Sequence, residues 1–343
     1  MKITVNEIAK RAGVSQSTVS KVMNNYPQIK ASTRQKVMAA IEELNFTPDL
    51  IARSLVTNKT KTIGLIVGDI ANPFYSETAK VIISQARERG YDVSLSDTDF
   101  NTDNLKVSVK NLLARRVDGI LIATIDRDDS VATDLYKTGF PIVLYNQRPK
   151  SKEINYVNLD DVMGAKMAVD HLITLGHRRI SFITGPSERY STFYYRHQGF
   201  KAALNSHHIA YDESIVYDGE LFNGEHLQFV QRLLTKEDRP TGFFAASDAI
   251  AIELMKVVAR SGLSVPGDVS IIGFGNFDIS SNPFVNLTTI AQRKKEMASV
   301  ALEKLLLLVE NDEEEKKQPY HIVLEPGLIV RKTTGINYEQ FSQ

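Results

Sequence analysis

Apolar positions change their spacing along the chain. From Thr4 onward, Val5, Ile8, Ala9 and Ala12 recur at helical intervals, and Thr4-Val5-Asn6-Glu7 has the S/T-x-x-E spacing of a capping box. This predicts a helix starting at Thr4 and ending at Gly13, a left-handed C-cap residue. Ser15 then caps a second helix running through Thr18, Val19 and Val22 to about Met23, with Val14 packing on it. Asn24-Asn25-Tyr26-Pro27 breaks that helix, and a third begins near Ser32 or Thr33 with Val37, Ala40, Ile41 and Leu44 on one face. From Thr62 the pattern becomes short apolar runs alternating with helices. Residues 63–67, 93–96, 119–123 and 142–145 read as buried parallel strands, with helices near 75–89, 105–115 and 130–138. The pattern repeats with strands at 180–184, 215–217, 242–245 and 270–274 and helices near 164–174, 194–206, 226–234 and 249–260. Two such units predict two doubly wound α/β subdomains facing each other across a cleft, with ligand at the carboxyl ends of the strands.

Composition narrows the class. No apolar run approaches the roughly 20 residues that span a bilayer, and the N-terminus has no apolar core of a secretory signal. The chain has no cysteine, which excludes disulfides and thiolate metal sites and fits a reducing cytoplasm. The net charge of zero hides an asymmetry. Residues 1–61 hold ten Lys or Arg against four acids, so they carry +6 and the remainder −6. A basic head on an acidic body points to a polyanion partner held by the head; a merely solvated basic surface is the plainer alternative.

Two short helices joined by a Gly-containing turn and braced by a third make a helix-turn-helix, whose second helix puts its N-terminal residues into the DNA major groove. Those positions are Ser15, Gln16, Ser17, Ser20 and Lys21. Gln bonds adenine bidentately, Lys donates to guanine and Ser serves either base. Val19 and Val22 belong to the core.

The run Ala12-Gly13-Val14-Ser15, followed by Thr18-Val19-Ser20-Lys21-Val22-Met23-Asn24, resembles the signature of the lactose/galactose repressor family. Lys21 departs from the usual Arg. The resemblance continues through Thr33-Arg34-Gln35-Lys36-Val37, Leu44-Asn45-Phe46-Thr47-Pro48 and Ala52-Arg53-Ser54-Leu55, the last similar to the family's hinge helix. It implies DNA contacts from Thr4, Ser15, Gln16, Ser17, Thr18, Ser20, Lys21, Asn24, Thr33 and Arg53, with Leu55 wedged into a minor-groove base step. Residues 49–56 make only about two turns, too few for an isolated helix in water, so they should order only against a partner. Asn72-Pro73-Phe74-Tyr75, Leu175-Gly176-His177-Arg178-Arg179-Ile180, Ser264-Val265-Pro266-Gly267-Asp268 and Glu325-Pro326-Gly327-Leu328 carry the likeness through the body. It implies a periplasmic-binding-protein-like core with three crossovers. The domains expected are a head at 1–47, a hinge and linker at 48–61, and a core at 62–343. Within the core, one subdomain takes about 62–160 and 291–320, the other about 161–290 and 321–333.

The resemblance further implies an effector site of Phe74, Tyr75, Asn146, Arg189, Ser191, Arg196, Leu221, Ser247, Asp248, Gly275 and Asn276. Arg196 is the family's ligand arginine, able to grip hydroxyls or a carboxylate. Gly273-Phe274-Gly275-Asn276 departs from the family's Gly-Phe-Asp-Asp, removing a ligand carboxylate, and Leu221 stands where several members have an aromatic. With Arg189 and Arg196 retained, the cleft is expected to favour an anionic effector such as a sugar phosphate or sugar acid. The overall expectation is a homodimeric cytoplasmic repressor of double-stranded operator DNA, with no cofactor, no metal, no membrane contact and no catalysis. Three rival readings stand beside it. A sugar-binding protein without DNA function would explain only the cleft, and an α/β enzyme lacks a catalytic constellation. A global regulator served by a phosphorylated carrier protein would need a basic pattern on the helix after the third crossover, where Ala301-Leu302-Glu303-Lys304-Leu305-Leu306 stands.

Overall fold

The computed structural model describes residues 3–23, 26–46, 59–123, 126–127, 129–151, 153–221, 223–310 and 319–337. It divides into two units, Met1–Thr60 and Lys61–Gln343. The expected hinge helix, with Arg53 and Leu55, and the expected DNA contact Asn24 lie outside the described residues.

In the first unit, α1 (Val5–Ala12), α2 (Gln16–Met23) and α3 (Ala31–Glu43) follow the apolar spacing. The Glu7 carboxylate accepts from the Thr4 backbone N–H at 2.7 Å and from the Thr4 hydroxyl at 3.0 Å, which completes the capping box. Gly13 ends α1 at φ +66°, a left-handed position that any Cβ would strain. Ile8, Val19, Val22 and Val37 form a small buried centre. Because so little apolar area is available, polar links matter: Arg11 pairs two-pronged with Glu43, and Arg34 donates to the carbonyls of Val22 and Tyr26.

The second unit has two lobes, each on a six-stranded sheet. The first sheet uses β1 (Thr62–Val67), β2 (Asp92–Asp97), β3 (Gly119–Ile122), β4 (Ile142–Tyr145), β5 (Tyr156–Leu159) and β11 (His321–Leu324), in the order β11-β5-β4-β3-β1-β2 and parallel throughout. Helices α4 (Pro73–Glu88), α5 (Thr102–Ala114) and α6 (Val131–Lys137) connect its early strands. The second sheet uses β6 (Ile180–Thr184), β7 (Val216–Asp218), β8 (Gly242–Ala245), β9 (Ser270–Gly275), β10 (Thr288–Ala291) and β12 (Gly327–Ile329), ordered β12-β10-β9-β8-β6-β7. Its helices are α7 (Asp161–Thr174), α8 (Ser191–Ser206), α9 (Glu225–Leu234) and α10 (Asp248–Arg260). Near-continuous burial of β1, β6, β8 and β9 is what a sheet covered on both faces requires.

The chain crosses between lobes after β5, after β10 and after β11. Three expectations need correction. The second sheet is not wholly parallel, because β12 pairs antiparallel with β10. Residues 321–324 belong to the first sheet, so the last crossing falls beyond Leu324 and not before residue 321. The helix bearing Ala301, α11 (Lys294–Glu310), precedes the third crossing and packs on α4 of the first lobe. Within the second lobe, buried His177 ties three segments by hydrogen bonds to Thr241, Ser270 and the Gly335 carbonyl, which explains the Gly-His run before β6.

Candidate functional site: an exposed helix face and an interlobe cleft

On α2, Gln16, Ser17, Ser20 and Lys21 are exposed, whereas Val19 and Val22 on the opposite face are buried. Ser15 is occupied locally: its hydroxyl accepts from the Thr18 N–H at 3.2 Å and lies 2.8 Å from the Ser17 hydroxyl. Thr18 and Thr33 are half-buried, and Thr4 is engaged with Glu7. Gln16, Ser20 and Lys21 are therefore exposed on one side of the helix, with Ser17 beside them bonded to Ser15.

In the core, the strand ends of both lobes enclose a cavity of about 300 Å³. From the first lobe, Asn72 caps α4 by accepting from the Phe74 N–H at 3.0 Å, and Pro73 sits at the first helical position. That start aims Phe74 and Tyr75 into the cleft, with Phe74 stacked on Tyr145 and Tyr75 edge-on to Phe100. Asn146 ends β4 at φ +58° and accepts from Gln292 at 3.3 Å.

From the second lobe, Arg196 lies on α8 and is almost wholly buried. Its Nε donates to Asp161 at 2.9 Å, its Nη1 donates to the Ala246 carbonyl, and its plane covers the Phe274 ring at 3.7 Å. Its Nη2 has no protein acceptor among the described residues, leaving N–H donors for a ligand. Burial pushes the Asp161 carboxyl up to about 6 even though the adjacent guanidinium pulls it down.

Of the expected effector residues, Phe74, Tyr75, Asn146, Arg196, Leu221 and Ser247 line this cavity. The other five do not. Arg189 turns to Asp126 at 3.0 Å and donates to the Phe100 carbonyl at 2.8 Å. Ser191 is buried between lobes, accepting from the Arg148 N–H and donating to Gln147. Asp248 is fully buried, accepting from the Phe277 N–H and from the hydroxyls of Ser280 and Thr289, and burial raises its carboxyl above the usual range. Asn276 accepts from Arg331 at 2.7 Å, and Gly275 faces the Phe277 ring. The helical period explains part of the shift, since Thr192 and Arg196, four apart on α8, share the face that meets the cavity while Ser191 does not.

Sequence reasoning missed Phe100, Tyr190, Phe193 and Phe277, which extend the aromatic wall, and three carboxylates, Asp69, Glu220 and Glu253. Of these, Glu253 meets His226 at 2.9 Å. The lining thus carries three acids against one guanidinium already paired with Asp161. Arg189, expected to make the cleft more positive, is instead engaged by Asp126 and the Phe100 carbonyl outside this lining.

A small helix-turn-helix unit joined to a two-lobed core with a polar, aromatic-walled cleft defines a ligand-responsive DNA-binding protein. Residues 4–49 match the model for bacterial regulatory proteins of the lacI family, and residues 169–334 match that of a periplasmic binding protein-like domain. The catabolite control protein A of Priestia megaterium is 33% identical over 305 residues, covering 89% of this chain and 92% of its own. The regulator DegA of Bacillus subtilis (strain 168) is 34% identical over 337 residues, 97% of this chain and 98% of its own. Among solved structures, a lac repressor dimer bound to operator and the anti-inducer ONPF aligns at TM-score 0.86 and 28% identity, over 98% of this chain and 100% of that one. A complex of the regulator CelR with cellobiose aligns at TM-score 0.72 and 29% identity, over 96% and 99%. The chain belongs to the lacI family of bacterial regulatory proteins. It is a DNA-binding transcriptional regulator with an effector-binding core, not an enzyme.

Proposed function

We propose that the chain works as a cytoplasmic homodimeric repressor that reads operator DNA through Gln16, Ser17, Ser20 and Lys21 and is controlled by a neutral, hydroxyl-rich effector, a sugar, held between its lobes. The observation that carries the effector chemistry is the balance of charge in the cleft: Asp69, Glu220 and Glu253 face it, and Arg196, the one cation among the described lining residues, is bound to Asp161. An added phosphate would be repelled by Asp69 and Glu220 in a partly desolvated space. Sugar hydroxyls instead donate to such carboxylates and to Asn146, and accept from the remaining N–H groups of Arg196. Aromatic rings from both lobes, Phe74, Tyr75, Tyr190 and Phe193, suit the C–H faces of a sugar ring. The solved complex of the regulator CelR with cellobiose supports the same chemistry. Two heads per molecule fit a two-fold operator and double the phosphate contacts that one small head makes. Ligand acts through its different affinity for open and closed lobes.

The test is a thermal-shift screen of the full chain against neutral sugars, their phosphates and their acids, followed by calorimetry on the strongest. Neutral sugars are expected to stabilise the core and phosphates not to. Stabilisation confined to phosphates or acids overturns this effector class.

A further inference from the structure

The strand end where β9 leaves the second sheet is filled from the side. Gly275 sits at φ +141°, and a Cβ built on it would fall 2.8 Å from Cε1 of Phe277. The Phe277 ring thus occupies the space that a side chain at 275 would need, and it lines the cleft while only 3% exposed.

Several bonds hold it there. The Phe277 N–H donates to buried Asp248 at 2.9 Å. Lys294, also buried, donates to the Asn276 carbonyl at 2.7 Å, lies 4.6 Å from the Phe277 ring centroid and pairs with Glu77 of the first lobe at 2.9 Å. The Asn276 side chain is fixed by Arg331. The backbone of the turn is therefore held on both flanks, by Asp248 and by Lys294, and Lys294 also lies against the ring.

We infer that Phe277 is a specificity-determining residue that closes the β9 end of the cleft to hydroxyl groups and receives a carbon-bound, hydroxyl-free part of the effector. This rests on the neutral-sugar reading above. A phenyl ring neither donates nor accepts, so a hydroxyl pressed on it leaves water with no partner. A C–H, deoxy or methyl position there buries apolar surface instead. The rest of the lining mixes aromatic rings with groups that can pair with hydroxyls, among them Asn146, Ser247 and Gln292; at the β9 end the clamped ring offers no such partner. Lys294 is a positioning residue, acting through the ring.

The experiment uses the full chain and pairs of neutral sugars, each hexose or pentose with its monodeoxy and O-methyl derivatives, titrated by calorimetry into wild type, Phe277→Leu and Phe277→Ser. At one ring position, wild type and Phe277→Leu are expected to bind the deoxy or methyl form at least as well as the parent. Phe277→Ser should move that preference toward the hydroxylated parent by about tenfold, the scale on which one group is discriminated. An unchanged rank order in folded Phe277→Ser overturns the inference while leaving the neutral-sugar reading intact. If circular dichroism finds Phe277→Ser unfolded, Phe277→Leu decides: its affinity should fall at least about threefold with rank order kept, and unchanged affinity overturns the inference. If no neutral sugar binds wild type, the effector reading falls and the inference with it.

Discussion

The head and the core treat charge in opposite ways. Residues 1–61 carry a formal +6, and on α2 Gln16, Ser17, Ser20 and Lys21 stand exposed above a tiny apolar centre. In the core, the cations nearest the cleft are committed to protein: Arg196 to Asp161, Arg189 to Asp126, Lys294 to Glu77. An exposed basic surface attracts a polyanion at long range and gains from counterion release. Paired cations do neither; they fix geometry, and on the proposed reading they leave the cleft to a neutral ligand.

The largest expected effect lies in the core. Arg196→Met should remove effector binding and destabilise the core by about 3–5 kcal/mol, because it strands Asp161 in a fully buried position. Urea unfolding measures it. The penalty carries a pH signature. Burial raises the Asp161 carboxyl to about 6, above its value in the unfolded chain, so the folded state holds the proton more tightly. Its contribution to stability is present below about pH 4 and is lost as pH rises through 6. The variant's deficit should accordingly be smaller at pH 5 than at pH 8; an equal deficit at both would mean that Asp161 is not the stranded charge.

Next in size is the head. Lys21→Ala or Gln16→Ala should each weaken operator binding by about 1–3 kcal/mol, roughly 5- to 150-fold, with relaxed preference at one base pair. Fluorescence anisotropy on native and single-substituted operators reads both, while effector affinity stays unchanged. A uniform loss across all operators would instead mark the residue as a phosphate contact. Gly13→Ala should cost about 1–2 kcal/mol, since its φ of +66° is left-handed; the thermal unfolding of the head reports it. Smallest is Arg189→Ala. Its ion pair with Asp126 is partly solvated, so effector affinity should change by less than about 1 kcal/mol. A loss as large as that of Arg196→Met would return Arg189 to the cleft.

Legibility followed the distance over which each feature is encoded. The three head helices were readable because capping box, C-cap glycine and apolar spacing all lie within a few residues. The central strands were equally plain as buried apolar runs. Four strands escaped, all of three or four residues and at or next to a sheet edge: β11 alternates exposed and half-buried positions, β12 has three half-buried residues, β5 carries a buried Asn158, and β10 opens on two buried threonines, Thr288 and Thr289. In the cleft, the aromatic pair Phe74 and Tyr75 announced itself through Asn72-Pro73. The sign of the charge did not. It depends on which partner each arginine takes and on acids from three separate loops and helices, and those pairings are set by tertiary packing alone. A missing Asp at 275 suggested a more positive cleft, yet the structure puts a ring there.

The most direct measurement is operator affinity of the full chain, by anisotropy on DNA from its own promoter region, with and without neutral sugars and their phosphates. The account predicts tight, salt-dependent binding that at least one neutral sugar changes by about tenfold or more, within the usual span of coupling energies, with the corresponding phosphates inactive. Operator binding that responds only to phosphorylated or acidic sugars, or to none of these, would contradict it.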